Sequence, residues 1–501
     1  MPHSALSRAA ATMVTLVALV GATLAAPTAV AADGADRKAL TDSSSKKAAQ
    51  ALDRAQAALA GKDGDATLAL RDLWLQRDNL SAADRAAYAR LADRPVKPSF
   101  VESGNVRVHY NAAELTGSFN QNDVLASASL VAQTYAAAGY RLPKPDFGKG
   151  GTDQTDIYVD QLQSGLYGYC TVDNDVQQPG PGRFDVPAFC VVDNDYAGFP
   201  TNTPLENLQV TMAHEYFHAT QFAYDAADDG WAMEATAAWV EDEVYDNVDD
   251  NVQYLFDSPI TDRKRSMDKF GGLFHYGVWI WFRYLTEKFP GETGSLPTIV
   301  RQFWEAADSS KGAKKDKYFT QGMAQVLRKK PYKTSVDKEF ALFSAANQRA
   351  PFFYQEGTTN TAAAYPAAKI NGTKKLKKGQ AKAFNAKLNH LSAAAYRFVP
   401  KGKAKKIKFA ISGAPKVQGT RAVVTTYLVS GKIKTKYVAI NAKGKGAFQG
   451  AFKAGKVAAV DVTLVNASTR FAKCYVNNTV YSCSGKPVDQ NKRISVVGKA
   501  V

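Results

Sequence analysis

The chain has 501 residues, enough for two or three domains, and a net charge of +16. The charge is uneven: residues 366–501 hold 28 Lys and Arg against only Asp461 and Asp489, a net charge of +26 that leaves −10 for the remainder. This asymmetry predicts two modules with different partners. The four cysteines include no C-x-x-C pair, which argues against a cysteine-based metal site.

The first 32 residues have the pattern of a secretory signal peptide. Arg8 precedes an apolar run at 9–26, and small residues at 30–32 offer a cleavage point. The alternative is an uncleaved membrane anchor, but the run is short and interrupted by Gly21. No later stretch is apolar enough to cross a bilayer. We therefore expect a secreted, extracellular protein without a membrane span.

Residues 33–98 are polar, rich in alanine and helical in composition. The central stretch LRDLWLQRDNL carries enough apolar side chains to dock on another part of the chain. Two interpretations remain open. The segment is either a pro-segment that folds over a catalytic domain and holds it inactive, or a permanent helical part of the protein.

Residues 99–350 combine strand and helix patterns. Residues 105–110, 156–160 and 188–193 read as strands, and residues 122–138 have a helical pattern. After the third strand the chain is predominantly helical. The segment CVVDNDY, which overlaps that strand, is positioned to be a sheet edge that pairs with an extended peptide.

The strongest motif is H-E-x-x-H, formed by His214, Glu215 and His218. On a helix the two imidazoles share one face and suit Zn²⁺, and Glu215 can act as general base on a bound water. A second helical pattern carries Glu234 near its start, where a third ligand is expected. The alternative is a core helix with two structural histidines.

These segments, HEYFHATQFAYD and WAMEATAAWVEDEVYD, resemble the gluzincin clan of zinc metallopeptidases. More narrowly, they resemble secreted bacterial metalloproteases with a HEYFHA…EATAxWxEDEVYD signature. The resemblance implies that His214, His218 and Glu234 bind zinc and that Glu215 is the catalytic base. It is specific across these segments and looser over residues 100–350.

One position departs from the gluzincin pattern. Many gluzincins place an acidic residue one helical turn after the third ligand, where this chain has Ala238. We expect Glu241 or Asp242 to orient a ligand histidine instead. Gluzincins also use a downstream Tyr or His to stabilise the oxyanion, which implies Tyr276 or His275 here; the alternative for both is a place in an aromatic core.

The resemblance also implies an α+β fold. We expect a gluzincin-like catalytic domain over 99–350, with a mixed-sheet upper subdomain and a helical lower subdomain. A linker at 351–366 leads to residues 367–501, where short alternating stretches between Gly, Lys and Asn predict an all-β sandwich. Its excess of lysine suits binding to an anionic cell-surface polymer. The alternative is that these lysines form a solvated face with no partner.

The four cysteines fit an oxidising compartment. Sequence proximity favours Cys170 with Cys190 and Cys474 with Cys483, one of three connectivities that four cysteines allow.

Two Asp-Asn-Asp runs, at 173–175 and 193–195, would offer oxygen ligands to Ca²⁺. Ordinary Asx turns are the alternative.

The predicted function is that of a secreted, monomeric zinc endopeptidase that acts on a protein or peptide substrate and binds no nucleic acid. The alternative is an inactive, metal-containing protein that binds a surface through its basic domain. A glycosidase that uses Glu241 and Glu243 is a weak third candidate, because residues two apart on a helix diverge.

Overall fold

The structure is a computed structural model that describes residues 43–62, 65–115, 118–359, 362–476 and 479–501. The predicted signal peptide lies outside these ranges. The described α-helices are α1 Ser43–Leu59, α2 Ala66–Gln76, α3 Ala82–Leu91, α4 Gln121–Ala137, α5 Pro204–Asp225, α6 Gly230–Val244, α7 Phe274–Gly277, α8 Trp279–Lys288, α9 Thr298–Ala306, α10 Phe319–Arg328, α11 Val336–Ala346 and α12 Ala350–Phe353.

Strands occur in two groups that are separated by the helices. They are β1 Ser99–Ser103, β2 Val106–Tyr110, β3 Thr155–Asp160, β4 Gly168–Thr171, β5 Phe189–Asp193, β6 Glu292–Thr293, β7 Leu296–Pro297, β8 Gly372–Leu376, β9 Ala381–Leu388, β10 Ser392–Pro400, β11 Lys406–Ser412, β12 Thr420–Leu428, β13 Ile433–Tyr437, β14 Lys445–Ala451, β15 Val457–Asn466, β16 Phe471–Ala472, β17 Lys486–Pro487 and β18 Lys492–Ala500. Short 3₁₀ helices lie at Arg77–Asn79, Lys149–Gly151, Asp250–Asp257, Ser309–Lys311, Asn347–Arg349, Lys416–Gln418 and Ser482–Ser484.

The N-terminal helices α1–α3 share the hydrophobic core of the first sheet, and α2 packs on its strand β4. Two side chains of α2 donate to main-chain carbonyls elsewhere in the chain. The indole nitrogen of Trp74 donates to Val176 O at 3.0 Å, and Arg71 donates to Asp228 O at 2.9 Å. Arg94, just after α3, forms ion pairs with Asp146 and other buried carboxylates. The helical prediction for residues 33–98 is confirmed for the described helices between residues 43 and 91.

The first sheet has the strand order β1-β2-β3-β5-β4. Strands β2, β3 and β5 are parallel, and β1 and β4 are antiparallel edges. The expectation that residues 190–196 form a peptide-binding edge is wrong, because β5 lies between β3 and β4. The edge is β4, whose sequence GYCT follows a glycine-rich turn and gave no strand pattern.

Helices α5 and α6 follow this sheet and pack on each other. Helix α5 ends at Asp225, and Gly230 is the first residue of α6. Further along this helical region, α7 and α8 are separated by the single residue Val278. Buried indoles such as Trp279 and Trp281 form the core of this helical part.

The segment predicted as a linker packs on the helical part. Tyr354 and Tyr365 are buried, and the Tyr354 hydroxyl donates to Asn347 Oδ1 at 2.6 Å. Glu356 forms an ion pair with Arg283 of α8. The two halves of the protein are therefore joined by an anchored segment.

The C-terminal region is β-rich, as predicted. A five-stranded sheet, β13-β12-β15-β10-β8, and a four-stranded sheet, β14-β11-β18-β9, share one hydrophobic core in a sandwich-like arrangement. Strand β11 shows the alternation: Ile407, Phe409 and Ile411 are buried, and Lys406 and Lys408 are exposed.

A loop of the β-rich region reaches the start of α6. Ser482 Oγ accepts from the indole nitrogen of Trp231 at 3.1 Å and donates to Asp268 Oδ2 at 2.9 Å. The Cys483 main-chain nitrogen donates to Asp229. Between Cys474 and Cys483 the described residues adopt turns, a bend and a 3₁₀ helix. Across the described ranges, no helix has the length and apolarity needed to cross a membrane.

Candidate metal centre

The H-E-x-x-H motif lies on α5, whose start is well defined. Thr203 and Glu206 form a capping box. Thr203 Oγ1 accepts a hydrogen bond from the Glu206 main-chain nitrogen, and the Glu206 carboxylate accepts one from the Thr203 main-chain nitrogen. Pro204 occupies the first turn, where its missing N–H has no cost. His214 and His218 are one turn apart, and their ring centroids are 4.7 Å apart.

Helix α6 places Glu234 opposite both imidazoles. Glu234 Oε2 lies 3.1 Å from His214 Nε2, and Oε1 lies 3.3 Å from His218 Nε2. Four ligands at zinc bond lengths of about 2.0–2.1 Å in a tetrahedron are roughly 3.3 Å apart. The donor atoms of the three residues all lie within 4.8 Å of one another, so the set fits a zinc ion.

Two buried atoms of this set have no hydrogen-bond partner within the described chain: His218 Nε2 and Glu234 Oε1. Because buried polar atoms are normally bonded, such a pair facing each other points to a ligand between them. The structure thus brings together the three residues that the sequence predicted as metal ligands.

Each histidine is held by a side chain at its other nitrogen. Glu241 Oε1 bonds His214 Nδ1, which fulfils the role expected of Glu241 or Asp242. Gln221 Oε1 lies 2.8 Å from His218 Nδ1, and its amide nitrogen donates to Met233 O at 3.0 Å. These bonds leave both Nε2 lone pairs directed at the metal position.

Charge also shapes the site. Burial alone would lower the pKa of His214, but hydrogen bonds to Glu234 and Glu241 raise it well above its ordinary value. Burial alone would raise the pKa of Glu234, but His218 and His214 hold it well below its ordinary value. In the absence of metal, protons therefore compete for the ligand set, and metal uptake releases protons.

Glu215 lies at a cavity of about 210 Å³ beside the metal position. Burial raises the pKa of Glu215, whose Oε2 accepts a hydrogen bond from Thr67 Oγ1 at 3.0 Å. Gly168 of β4 lies against the Glu215 side chain. A Cβ on Gly168 would come within 2.9 Å of the Thr211 methyl group and 3.2 Å of Glu215 Cγ. Glycine therefore lets the edge strand approach the base.

The two candidates for oxyanion stabilisation face different surroundings. Tyr276 lines the cavity, and its ring centroid is 5.9 Å from that of His214. Burial raises the pKa of Tyr276 well above its ordinary value, so the phenol keeps its proton. His275 stacks on Phe270, and its Nδ1 accepts from the Gly271 main-chain nitrogen at 3.1 Å. Of the two residues, only Tyr276 lines the cavity, so the geometry favours Tyr276 over His275 as the donor to an oxyanion.

A second group of carboxylates lies near the end of α6: Asp242, Asp249 and Glu356. Arg283 crosses it, with Nη1 2.7 Å from Asp242 Oδ2 and Nη2 bonded to Glu356. Burial raises the pKa of Asp242 to about 7 despite this guanidinium. We describe the group as an ion-pair cluster that anchors the connecting segment.

The two Asp-Asn-Asp runs proposed for Ca²⁺ have protein partners. Asp173 pairs with Arg94 and lies 3.7 Å from Lys149 Nζ. Asp193 accepts from the main-chain nitrogens of Leu162 at 2.9 Å and Tyr196 at 2.7 Å. Asp193 thus serves as a turn residue, the alternative weighed from the sequence.

Both disulfide predictions are confirmed. Cys170 and Cys190 join β4 to β5, with the Cα atoms 4.0 Å apart, and Cys474 pairs with Cys483. The first bridge fixes the edge strand beside Glu215. The pairs are consistent with an oxidising compartment.

Comparison with known proteins adds no family. No protein-family model matches the chain, and no curated protein matches it. Solved structures similar to parts of it include the pre-peptidase C-terminal domain of a Bacillus anthracis collagenase (8% identity, 25% of this chain and 94% of that one, TM-score 0.17). Another is the Aeromonas hydrophila lysozyme inhibitor PliG (11% identity, 26% of this chain and 99% of that one, TM-score 0.15). A third is the copper-binding surface protein CorA of Methylomicrobium album BG8 (13% identity, 26% of this chain and 98% of that one, TM-score 0.16). TM-scores this low carry no argument about fold or function.

Glu241→Gln should weaken zinc binding about 10- to 100-fold, because the carboxylate that orients His214 is lost. Glu243→Gln, two residues along the same helix and beside Arg283, is the matched control and should keep wild-type affinity. Competition titration with a zinc chelator measures both. Equal affinities in the two variants would show that Glu241 does not support the ligand set.

Proposed function

We propose that the protein is a zinc-dependent peptidase that hydrolyses peptide bonds at the His214, His218 and Glu234 centre. The observation that carries the proposal is the position of Glu215, a carboxylate beside a three-ligand set that leaves a fourth position to water or substrate. A purely structural metal site needs four protein ligands and no adjacent base. The resemblance to gluzincin metallopeptidases supports the same function.

A bound Zn²⁺ ion would supply Lewis-acid polarisation of the scissile carbonyl and lower the pKa of its water. Glu215 accepts the proton of the attacking water and later delivers it to the leaving amine. The Tyr276 phenol donates to the oxyanion that develops on the carbonyl. His214 and His218 keep their Nε2 atoms directed at the metal because Glu241 and Gln221 hold their other nitrogens.

The cavity has both polar and aromatic walls. Tyr167 and Tyr254 line it together with Tyr276, and Tyr254 stacks on Tyr276 with ring centroids 5.0 Å apart. These walls suit the side chain and main chain of a peptide, and the substrate class that we propose is an unfolded or extended polypeptide. Secretion, which the signal pattern and two disulfides support, would place the activity outside the cell.

Glu215→Gln should bind one zinc per chain, as the wild type does, but lose about 100- to 10,000-fold in turnover. Glu305→Gln, an exposed site on α9, is the control and should retain full turnover. Cleavage of an internally quenched peptide library and zinc content by atomic emission test this. Wild-type turnover in Glu215→Gln would remove Glu215 from the role of base.

A second candidate function is attachment to an anionic polymer, and the outer face of the sheet β14-β11-β18-β9 favours it. Exposed Lys408 lies directly opposite Lys499, and exposed Lys387 lies opposite Arg493. Like charges directly opposite each other destabilise a sheet. A polyanion bound across this face would relieve that repulsion, and the neighbouring outward residues are mostly small.

Lys408→Glu with Lys499→Glu should reduce binding to a polyglycerol-phosphate teichoic acid at least tenfold in low salt. The matched control is Lys329→Glu with Lys330→Glu, which makes the same charge change on exposed residues outside the β-rich region. Equal losses in both pairs would mean that net charge alone drives binding. No binding by the wild type would exclude this function.

A further inference from the structure

The Glu215 carboxylate is held by a residue of the N-terminal helices. Thr67 lies in the first turn of α2, is 3% exposed and bridges two parts of the site. Its Oγ1 lies 3.0 Å from Glu215 Oε2 and 2.9 Å from the main-chain nitrogen of Cys170 in β4. The contact joins residues 148 positions apart, and no local pattern predicts it.

The two contacts fix the direction of the hydrogen bonds. The Cys170 main-chain N–H can only donate, so Thr67 Oγ1 is its acceptor. The single hydroxyl proton is therefore available to Glu215 Oε2, which accepts it. One carboxylate oxygen of Glu215, Oε2, is thus held by the Thr67 hydroxyl.

Helix α2 is itself held by contacts with several other segments. Arg71 donates to Asp228 O in the α5–α6 connection, and Trp74 donates to Val176 O. Asp65 caps the helix by accepting from the Leu68 main-chain nitrogen at 2.9 Å, and its Oδ2 lies 3.6 Å from His275 Nε2. These contacts hold Thr67 against both the edge strand and the α5–α6 pair.

We propose that Thr67 is a positioning residue that orients Glu215 for proton transfer, and that the N-terminal helical segment is a permanent part of the catalytic unit. The inference rests on the peptidase function proposed above. Of the two interpretations that the sequence leaves open for residues 33–98, it favours the permanent helical part over the inhibitory pro-segment. If the segment were an inhibitory pro-segment, the Thr67–Glu215 bond would occupy the base and its loss would raise activity. If it is a positioning contact, its loss lowers activity.

The test uses the full zinc-loaded chain with Thr67→Val and Thr67→Ser. Valine keeps the shape but removes both hydrogen bonds, and serine restores them. Thr67→Val should lower kcat about 10- to 100-fold with KM within about twofold, because a misplaced base slows proton transfer more than it affects substrate binding. Thr67→Ser should return kcat to within about threefold of wild type. The substrate is the best-cleaved peptide from the quenched library.

The control is Thr220→Val on α5, a buried threonine whose hydroxyl has no hydrogen-bond partner among the described residues. It should keep wild-type kcat. A readout independent of turnover is amide exchange of residues 168–171, which should accelerate in Thr67→Val and not in Thr67→Ser, since Cys170 loses its acceptor only in the former. If Thr67→Val does not fold, Thr67→Ala is measured by the same criteria.

Several outcomes would overturn the inference. A wild-type kcat in Thr67→Val would show that the contact does not position the base. A higher kcat would identify an inhibitory segment, and equal losses in the valine and serine variants would indicate packing alone. A wild type that cleaves no peptide would overturn the proposed function and the inference with it, whereas cleavage that needs Glu215 but not Thr67 would overturn the inference only.

Discussion

A buried carboxylate between two imidazoles is the arrangement on which the rest of the site depends. Glu234 is 1% exposed and faces His214 and His218 on the neighbouring helix. Without metal, three buried titratable groups lie side by side, and the pKa values of His214 and Glu234 shift in the directions that favour an ion pair. A divalent cation would replace the shared protons, so metal binding and the packing of α5 on α6 are energetically coupled.

The surrounding polar groups follow from that arrangement. Gln221 bonds His218 and the main chain of α6 at once, so it ties the two metal-bearing helices together. Glu241 performs the corresponding role for His214 from α6. The β-rich region bonds the start of α6 through Ser482, and Arg283 of α8 donates to Asp242 near the end of that helix, so contacts hold the helix that carries Glu234 at both ends. Precise ligand placement thus draws on distant parts of the chain.

Local periodicity explains how much the sequence could predict. The i, i+4 spacing of His214 and His218 fixes their common face on any helix, so the metal motif could be predicted directly. Gln221 stands three residues after His218 on that face and could have been found by the same rule. Tyr276 and His275 could not be separated, because adjacent helical residues point about 100° apart and the sequence does not say which faces the cavity.

The features that the sequence did not predict depend on contacts between segments that are far apart in the chain. Whether β5 or β4 forms the sheet edge depends on strand order, which no single strand encodes. Strand β4 is four residues long and begins with glycine, so it gave no alternation. Thr67 reaches Glu215 only because α2 packs over β4, a tertiary contact between segments far apart in sequence. The α+β class and the β-rich C-terminal region were predicted, because repeated short patterns indicate class even when they do not indicate topology.

The most direct test of the central claim is zinc content together with zinc-edge X-ray absorption of the purified chain, for wild type and Glu234→Ala. We expect about one zinc per wild-type chain, with two imidazole nitrogens and oxygen ligands at about 2.0–2.2 Å, and loss of most of that zinc in the variant. Absence of zinc from the wild type after reconstitution, or zinc bound equally by Glu234→Ala, would contradict a centre built from His214, His218 and Glu234.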